Sequence, residues 1–578
     1  MLHGKEQNGD VEASRQSPSH WNHSADTDER ITDKHDVQNI ADPEKDALTS
    51  KPIGTHTALG PSSDDDDKTI VTWGAKDPEN PHHWPTWKRN LIVLLCMVLI
   101  INSTMASALP SNAIPFIAAQ YGITSPQQKV LPISVFMIGY VFGPLLWGPL
   151  SEEHGRRILT LVTFFAFCVW TFACALAPNW AALVTFRLFV GVFASSAISV
   201  VPGIMADVFP DHRTRGRAMA FFMATTVFGP LFAPIISGFV SPTIGWRWSF
   251  WIGLIYACAT LVPLAFLPET LGPVLLVRKA RRLRKADPVE NADVVAPREL
   301  EPKSTVTELL SVVLTRPLRM IATELIVSCT CAYLALLYAI FYMSFQAFPL
   351  IFGDLYGLSP GKTGLAFLSI GGGSFIALPV FFAYDPVLRW FQRHPRYGVW
   401  ARREEFRRLP LACIGGPLFV VSLFWLGFAS RPGVPVIAPI LAGVPFGAGF
   451  MLIFMALLNY LTDAYEIYAA SANGASSMTR SFFAVVLPLA TTPMFNRLGI
   501  AGACSLLGGL SAVMCIIPFI FIWKGERIRQ GSKFCIALKQ QKEDAARKDE
   551  ERRRRREARA AEAAAVVSGA SPGIKGET

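Results

Sequence analysis

The stretch GPLSEEHGRR at residues 148–157 decides the fold, because it places a cluster of charges between two long apolar runs. The run before it covers about residues 130–150 and the run after it about residues 158–178. Each run has roughly the 20 residues that a helix needs to cross the hydrocarbon core of a membrane. Two glycines, Gly148 and Gly155, permit a tight turn and a close approach of helices. The stretch therefore predicts a short charged loop at a membrane surface.

The composition of the whole chain is typical of a membrane protein with many spans. Of its 578 residues, 51% are hydrophobic and only 17% are charged, whereas soluble proteins carry about 25% charged residues. The polar residues gather at the two ends, near the middle and around residues 389–408. The net charge of +10 comes from basic residues at the edges of apolar runs, which indicates membrane loops and argues against a nucleic-acid surface.

Apolar runs of spanning length recur twelve times, six on each side of a charged stretch in the middle. We therefore expect an all-α membrane protein with twelve transmembrane helices in two six-helix bundles. The predicted domains are a disordered cytosolic N-terminal tail (1–88), an N-terminal bundle (89–267), a central cytoplasmic loop (268–320), a C-terminal bundle (321–523) and a basic C-terminal tail (524–578).

Lysine and arginine are divided unevenly between the two sets of loops, and this bias predicts the orientation. With the N-terminus inside, the internal loops receive the Arg156–Arg157 pair and the basic cluster at 389–408, whereas the external loops carry single charges such as Lys129. Both termini are therefore predicted to be cytoplasmic. In the C-terminal tail, ERRRRREARAAEAAA at 551–565 favours a solvated charged helix, and the alternative is a polybasic contact with anionic lipids.

Five further motifs accompany the charged loop. They are RLFVG at 187–191, FGPLFAPIISGF at 228–239, WRWSFW at 246–251, PETLGPVLL at 268–276 and NYLTDAYEIYAASA at 459–472. Together with GPLSEEHGRR, they resemble the motifs of the major facilitator superfamily of transporters. The resemblance covers about residues 77–535 and is greatest to the fungal twelve-span drug/proton antiporter branch, with its polyamine, fluconazole-resistance and secondary-metabolite exporters.

The resemblance implies a secondary active transporter of the plasma membrane that exports small organic toxins, drugs or secondary metabolites. It implies proton antiport by alternating access, with no enzymatic activity, cofactor or metal. The alternatives are an importer or facilitator of a small organic nutrient, and a polyamine exporter. ATP is not an expected partner, because GLSPGKT at 357–363 lacks the first glycine of a phosphate-binding loop at the required spacing.

The resemblance also assigns roles to residues of two motifs. The cytoplasmic latch that it implies, which holds the outward-open state, consists of Gly148, Glu152, Gly155, Arg156, Arg157 and Asp207. The family usually has Asp-Arg where this chain has Glu152–Glu153, so one cation is replaced by an anion. The antiporter-type motif of the fifth span consists of Gly229, Pro230, Pro234 and Gly238. Its two prolines favour a bend in that helix.

An arginine inside a span is expensive, which makes Arg187 a candidate for proton coupling or substrate contact. The structural alternative is an arginine satisfied by backbone carbonyls. Glu324, near the inner mouth of span seven, is the leading candidate for the proton site. Because burying a polyamine without anionic partners costs several kcal/mol per charge, a cavity with Arg187, Tyr140 and Tyr338 suits neutral or anionic amphipathic molecules. Arg480 is expected to pair with Asp463 or Glu466, or to act in the cavity.

Overall fold

The computed structural model of the protein describes residues 69–74, 77–289, 291, 293–300, 306–394 and 403–567. Regular structure in these residues is almost entirely helical. A helix bonds its backbone N–H and C=O groups within its own segment, as a chain in the apolar core of a membrane must. The parts of the expected tails at 1–68 and 568–578 lie outside the described residues.

Six long helices form the N-terminal half, and we number them as spans 1 to 6. They are Thr86–Ala108, Pro126–His154, Arg156–Ala175, Trp180–Val208, His212–Thr243 and Arg247–Ala265. A turn at Pro110 follows span 1 and leads into a short helix, Ile114–Tyr121. Each of the six contains an apolar window long enough to cross a membrane.

Four long helices begin the C-terminal half as spans 7 to 10. They are Leu325–Phe348, Pro360–Arg393, Leu409–Ala429 and Gly443–Tyr465. A π-helical segment, Pro349–Leu355, extends span 7, and a short helix, Ile437–Leu441, precedes span 10. The helix Gly272–Ala286 and the helix Val306–Thr323 lie in the central loop between the two halves.

The last apolar stretch, Ala469–Gln530, holds two spans. Its 62 residues would make a straight helix of about 93 Å, roughly three times the thickness of the hydrocarbon core. Gly499 interrupts it with φ 68° and ψ 174°. A Cβ on Gly474 would lie 3.9 Å from Pro317, and one on Gly525 would lie 3.0 Å from Glu405. Since Pro317 precedes span 7 and Glu405 precedes span 9, both ends of the stretch lie on one face.

Residues 469–498 and 500–530 are therefore spans 11 and 12, which complete the twelve. The predicted all-α fold with twelve membrane-spanning helices is confirmed. The helices are apolar on outward faces as well as inward ones: in span 3, Phe167 is 2% exposed whereas Phe165 is 60% exposed. A helix that is hydrophobic all round is typical of a membrane span.

The two halves pack against each other through spans 2 and 11 and through spans 5 and 8. The contact between spans 5 and 8 is close, because a Cβ on Gly364 would lie 2.6 Å from the carbonyl oxygen of Pro234. Further along the same pair, the rings of Phe228 and Phe375 are 4.3 Å apart. At one end of this interface the Asn112 amide donates to the carbonyls of Pro234 and Pro360, at 2.9 and 3.0 Å.

The expectation of disorder up to residue 88 is wrong for residues 69–74 and 77–85: residues 69–73, Asp77 and Glu79 contact the central loop, and Trp84 packs into the apolar core of the bundle. The strand Thr69–Ile70, β1, pairs in parallel with Val294–Val295, β2. Beside them, Lys279 binds Asp77 and Arg282 binds Glu79, each at 2.5 Å. The partners are far apart in sequence, so local composition did not indicate them.

The tail helix, Lys533–Val567, continues the chain after span 12. Its first turn packs on the C-terminal bundle, where the rings of Phe534 and Tyr468 are 5.2 Å apart. Further along, Arg553 pairs with Glu557 at 2.8 Å, one turn away. This is the charged helix that one of the two sequence interpretations described. A contact with anionic lipids stays a prediction.

Candidate functional site

Gly155 ends span 2 and starts the turn into span 3, and the turn requires a glycine there. Its φ of 95° lies in the region that side chains disfavour. A Cβ on Gly155 would also lie 2.5 Å from Oε2 of Glu269. The glycine therefore serves both the backbone conformation and the close approach of a carboxylate.

Glu269 is the residue that the sequence analysis missed, although the motif PETLGPVLL contains it. It is 3% exposed, and its carboxylate accepts the backbone N–H groups of Arg156 and Arg157 at 2.9 and 3.2 Å. These are the first N–H groups of span 3, which have no partner inside the helix. An anion at a helix N-terminus is also favoured by the helix dipole. The sequence did contain a signal for Glu269, because it is a lone acidic residue between an apolar span and Gly272.

Arg156 joins three spans through its side chain. Its Nε lies 3.2 Å from Oδ2 of Asp207 in span 4, and its Nη2 lies 3.7 Å from Oε1 of Glu152 in span 2. The guanidinium packs on Gly203, where a Cβ would be 2.6 Å from Cζ. Thr270 adds a hydroxyl that donates to Asp207 at 3.3 Å. The charges of the loop thus bind spans 2, 3 and 4 into one unit.

Of the other residues of the predicted latch, Gly148 is linked to Arg156 through Ser151, whose hydroxyl donates to the Gly148 carbonyl and accepts from Arg156, whereas the Arg157 side chain makes a separate contact. The Arg157 side chain donates to the carbonyl of Ala265 at 2.9 Å, not to Asp207. A Cβ on Gly148 would meet no described atom within 4 Å. Arg298 of the central loop caps the end of span 2 by donating to the carbonyls of Glu152 and Glu153, both at 2.8 Å. In the described residues, the hydrogen bonds and ion pairs of the loop stay within the N-terminal half and the central loop.

The motif of the fifth span places small residues where span 5 meets its neighbours. A Cβ on Gly229 would lie 1.9 Å from Oγ1 of Thr104 in span 1. A Cβ on Gly238 would lie 2.3 Å from the carbonyl oxygen of Pro360 at the start of span 8. Pro230 and Pro234 stand inside the helix between these two contacts. The motif therefore lets one helix pack closely against both halves of the molecule.

Arg187 of span 4 has the geometry of the structural alternative. It is 1% exposed, and its nitrogens donate to the carbonyls of Pro132, Ala106 and Ser107 at 2.8, 2.8 and 3.0 Å. The carbonyl of Ala106 needs such a donor, because Pro110 has no N–H to offer it one turn later. The guanidinium also lies 4.6 Å from the ring of Phe136. Arg187 thus ties spans 1, 2 and 4 together.

Tyrosine and serine hydroxyls form a polar cluster where the two halves meet. Tyr140 of span 2 is hydrogen bonded to Ser103 of span 1. Ser107, one turn further along span 1, shares a 2.9 Å hydrogen bond with Tyr342 of span 7. The ring of Tyr342 lies 5.0 Å from that of Tyr338. The predicted pair Tyr140 and Tyr338 therefore belongs to one cluster, with Tyr342 between the halves.

The expected ion pair of Arg480 is wrong. Asp463 pairs with Arg408 at 3.3 Å, and Glu466 pairs with Lys542 at 2.7 Å. Arg480 instead points into the polar cluster, with its guanidinium 5.4 Å from the ring of Tyr338.

Glu324 stands at the first turn of span 7 and is 3% exposed. It accepts a hydrogen bond from Tyr465 Oη at 3.0 Å and one from the backbone N–H of Phe534 at 3.5 Å. No cation lies within ion-pair distance of it in the described part of the chain. The carboxylate is thus held between spans 7 and 10 and the start of the tail helix.

Twelve spans in two halves that meet around a polar cluster define a membrane transporter. The profile of the Major Facilitator Superfamily matches residues 95–488. The chain belongs to this superfamily, whose members are transporters and not enzymes.

Several fungal proteins are similar to this chain over most of its length. The citrinin biosynthesis cluster MFS transporter mrr1 of Monascus ruber is 35% identical over 469 residues, which are 80% of this chain and 92% of that protein. Polyamine transporter 3 of Saccharomyces cerevisiae is 35% identical over 80% of this chain and 72% of its own length. The efflux pump FUBT of Fusarium oxysporum is 35% identical over 79% of this chain and 76% of its own length.

The fold is also similar to a solved structure. The proton:xylose symporter XylE, bound to 6-bromo-6-deoxy-D-glucose, superimposes with a TM-score of 0.55 over 76% of this chain and 96% of that one. The sequences are only 17% identical, so the similarity shows the fold alone.

Proposed function

We propose that the protein exports small organic compounds, drugs or secondary metabolites across the plasma membrane by alternating access, in exchange for protons. The observation that carries this is the hydrogen bond between Ser107 and Tyr342, because it joins the two halves in the middle of the polar cluster. A transporter that alternates between two faces must break such a contact to move its cargo. Export is supported by relatives described as an efflux pump and as a biosynthesis-cluster transporter.

The proposed substrates are neutral or anionic amphipathic molecules. Arg187 and Arg480 are the charged residues beside the aromatic and hydroxyl groups of the cluster in the described chain. A polyamine there would meet two cations and no carboxylate, which costs several kcal/mol per buried charge. Export of a polyamine is the second candidate, since polyamine transporter 3 is as similar in sequence as the other relatives.

Both termini are proposed to be cytoplasmic. This orientation determines in which direction each kind of membrane vesicle should transport a probe. Inside-out membrane vesicles with an acidic interior should take up at least one of two radiolabelled aromatic probes, neutral 1-naphthamide or anionic 1-naphthoate, as protons leave the lumen. Right-side-out vesicles with the opposite gradient should release the same probe. Uptake by right-side-out vesicles that ignores the proton gradient would instead identify an importer or facilitator. Uptake of labelled spermidine, with no uptake of either aromatic probe, would identify a polyamine exporter.

For the proton site we propose Glu324. Its carboxylate is buried and accepts a hydrogen bond from Tyr465 of span 10, and a carboxyl group is a side chain that can bind and release a proton. Glu324→Gln should abolish uptake driven by a proton gradient but keep exchange of labelled for unlabelled probe, because exchange needs no net proton movement. Glu466→Gln, which alters an exposed ion pair with Lys542 on the same face, is the control and should transport normally. Gradient-driven uptake by the Glu324 variant would exclude this assignment.

We propose that the unit formed by Glu152, Arg156 and Asp207 acts as a conformational latch at the cytoplasmic face. The ion pairs of Arg156 make the ends of spans 2, 3 and 4 rigid, so that they move as one body. We also propose that Arg157 and Gly148 contribute to this latch. A part for Arg187 in proton coupling is proposed as well. A bend at Pro230 and Pro234 would let span 5 follow that motion.

A further inference from the structure

Arg480 lies inside span 11, on the side that faces spans 7 and 10. It lies eleven residues into span 11, which begins at Ala469, so it stands about 16 Å from the start of that helix. Its guanidinium is 4.9 Å from the ring of Phe454 in span 10 and 5.4 Å from the ring of Tyr338 in span 7. Two aromatic faces thus enclose the cation.

The hydrogen bonding of Arg480 is incomplete, in contrast to that of Arg187. Nε of Arg480 donates to the carbonyl of Ser476 in its own helix, at 3.3 Å. Its two terminal nitrogens have no acceptor among the residues that the structure describes. Arg480 is 9% exposed, whereas Arg187 is 1% exposed with a carbonyl on each of its three nitrogens. Arg187 therefore holds helices together, whereas the terminal nitrogens of Arg480 are available to donate to a ligand.

An unpaired guanidinium in a membrane is expensive, because the charge has left water without a compensating anion. The faces of Tyr338 and Phe454 offset part of this cost by cation–π attraction. The remaining donors form a planar fork, the geometry that binds a carboxylate through two parallel hydrogen bonds. The site is therefore complementary to an anionic group.

The surroundings of Arg480 indicate the rest of the ligand. The Tyr338 ring leads to Tyr342, 5.0 Å away, and the Tyr342 hydroxyl reaches Ser107 in the other half of the molecule. Aromatic faces and hydroxyls suit an apolar or aromatic body that carries a few polar groups. A single molecule bound here would touch both halves.

We infer that Arg480 binds the acid group of the transported compound, and that the substrates are amphipathic organic acids with a carboxylate. This inference rests on the proposed transport function and narrows it, since neutral compounds lack the group that Arg480 recognises. Arg187 orders the backbone of spans 1, 2 and 4 and does not compete for the anion.

The test uses the purified full-length protein in lipid nanodiscs and three probes of similar size. They are 1-naphthoate, 1-naphthamide and 1-naphthylmethylammonium, which are anionic, neutral and cationic. Titration calorimetry should show that 1-naphthoate binds most tightly to the wild type. Arg480→Gln should weaken 1-naphthoate by about 10- to 100-fold, since a hydrogen bond to a charged group is lost, and change 1-naphthamide by less than about twofold.

Two further variants make the result decisive. Arg480→Lys keeps the charge but loses the fork, so it should weaken 1-naphthoate less than Arg480→Gln does. Arg431→Gln removes another arginine stacked on a ring: Arg431 lies in the loop after span 9, 5.6 Å from the ring of Phe428. This variant should bind all probes like the wild type. Equal affinity of the wild type for 1-naphthoate and 1-naphthamide would overturn the inference. So would unchanged binding of 1-naphthoate by Arg480→Gln. Uptake of 1-naphthamide into vesicles would then still support export.

Discussion

The carboxylate of Glu269 should control how often the first turn of span 3 opens. Oε1 accepts the N–H groups of Arg156, Thr270 and Leu271 at 2.9, 3.0 and 3.1 Å, and Oε2 accepts that of Arg157 at 3.2 Å. The perturbation is Glu269→Gln, which keeps the shape and replaces one oxygen with an NH₂ group. That group cannot accept, so one N–H loses its partner.

The expected loss is at least about 3 kcal/mol, the lower end of the two contributions together. Leaving one buried N–H unsatisfied costs about 1–3 kcal/mol, and the three bonds that remain lose about half of their strength when the acceptor is neutral. A local opening that becomes easier by about 3 kcal/mol is about 150 times more frequent. Hydrogen exchange of a peptide that covers residues 151–160 should therefore be faster by about two orders of magnitude at its first helical amides.

The control for this experiment is Glu79→Gln. Glu79 is a half-exposed carboxylate that binds Arg282 at 2.5 Å, and its loss should leave the exchange of the same peptide unchanged. Exchange of the Arg156 and Arg157 amides within threefold of the wild type in Glu269→Gln would refute the reasoning. It would mean that the carboxylate is not what holds this helix start.

Two further predictions concern the face that is proposed to be cytoplasmic. Asp207→Ala, which removes the ion pair with Arg156, should slow turnover more than Arg157→Ala does, with both proteins inserted normally; equal, normal efflux by the two variants would count against the latch. The hydrogen bond from Lys279 lowers the pKa of Asp77 below its ordinary value of 3.8. The docking of residues 69–74 should therefore persist above that value and weaken as the pH falls through the lowered pKa, as hydrogen exchange corrected for intrinsic rates would show.

The spans could be predicted because each one depends only on its own stretch of sequence. A helix in lipid satisfies its own backbone, so a run of apolar residues suffices to locate it. The last pair was also predicted as two spans, although Ala469–Gln530 is helical on both sides of one residue. A single glycine, Gly499, marks the reversal, and glycines are frequent in this chain. The length of the stretch shows that it must turn, and the φ of Gly499 shows where.

The partners of charged residues were predictable only where they belong to one motif. Arg156 and Glu152 are four residues apart, on either side of the turn at Gly155, whereas Glu269 follows span 6, more than a hundred residues later in the sequence. The error at Arg480 has a geometric cause: Asp463 and Glu466 are close in sequence but lie near the membrane surface. Each helical residue rises 1.5 Å, so Arg480 lies beyond their reach.

The docking of the central loop has a consequence for how far the molecule can open. Up to Leu300 the loop is fastened to the N-terminal half, since Arg298 holds the end of span 2 and β2 pairs with β1. From Pro317, which contacts Gly474, it belongs to the C-terminal half. Between Leu300 and Val306, where the next helix begins, six steps of chain reach at most about 22 Å. The covalent length of the chain between these two residues therefore limits how far the part of the loop held by the N-terminal half can move from the start of the next helix.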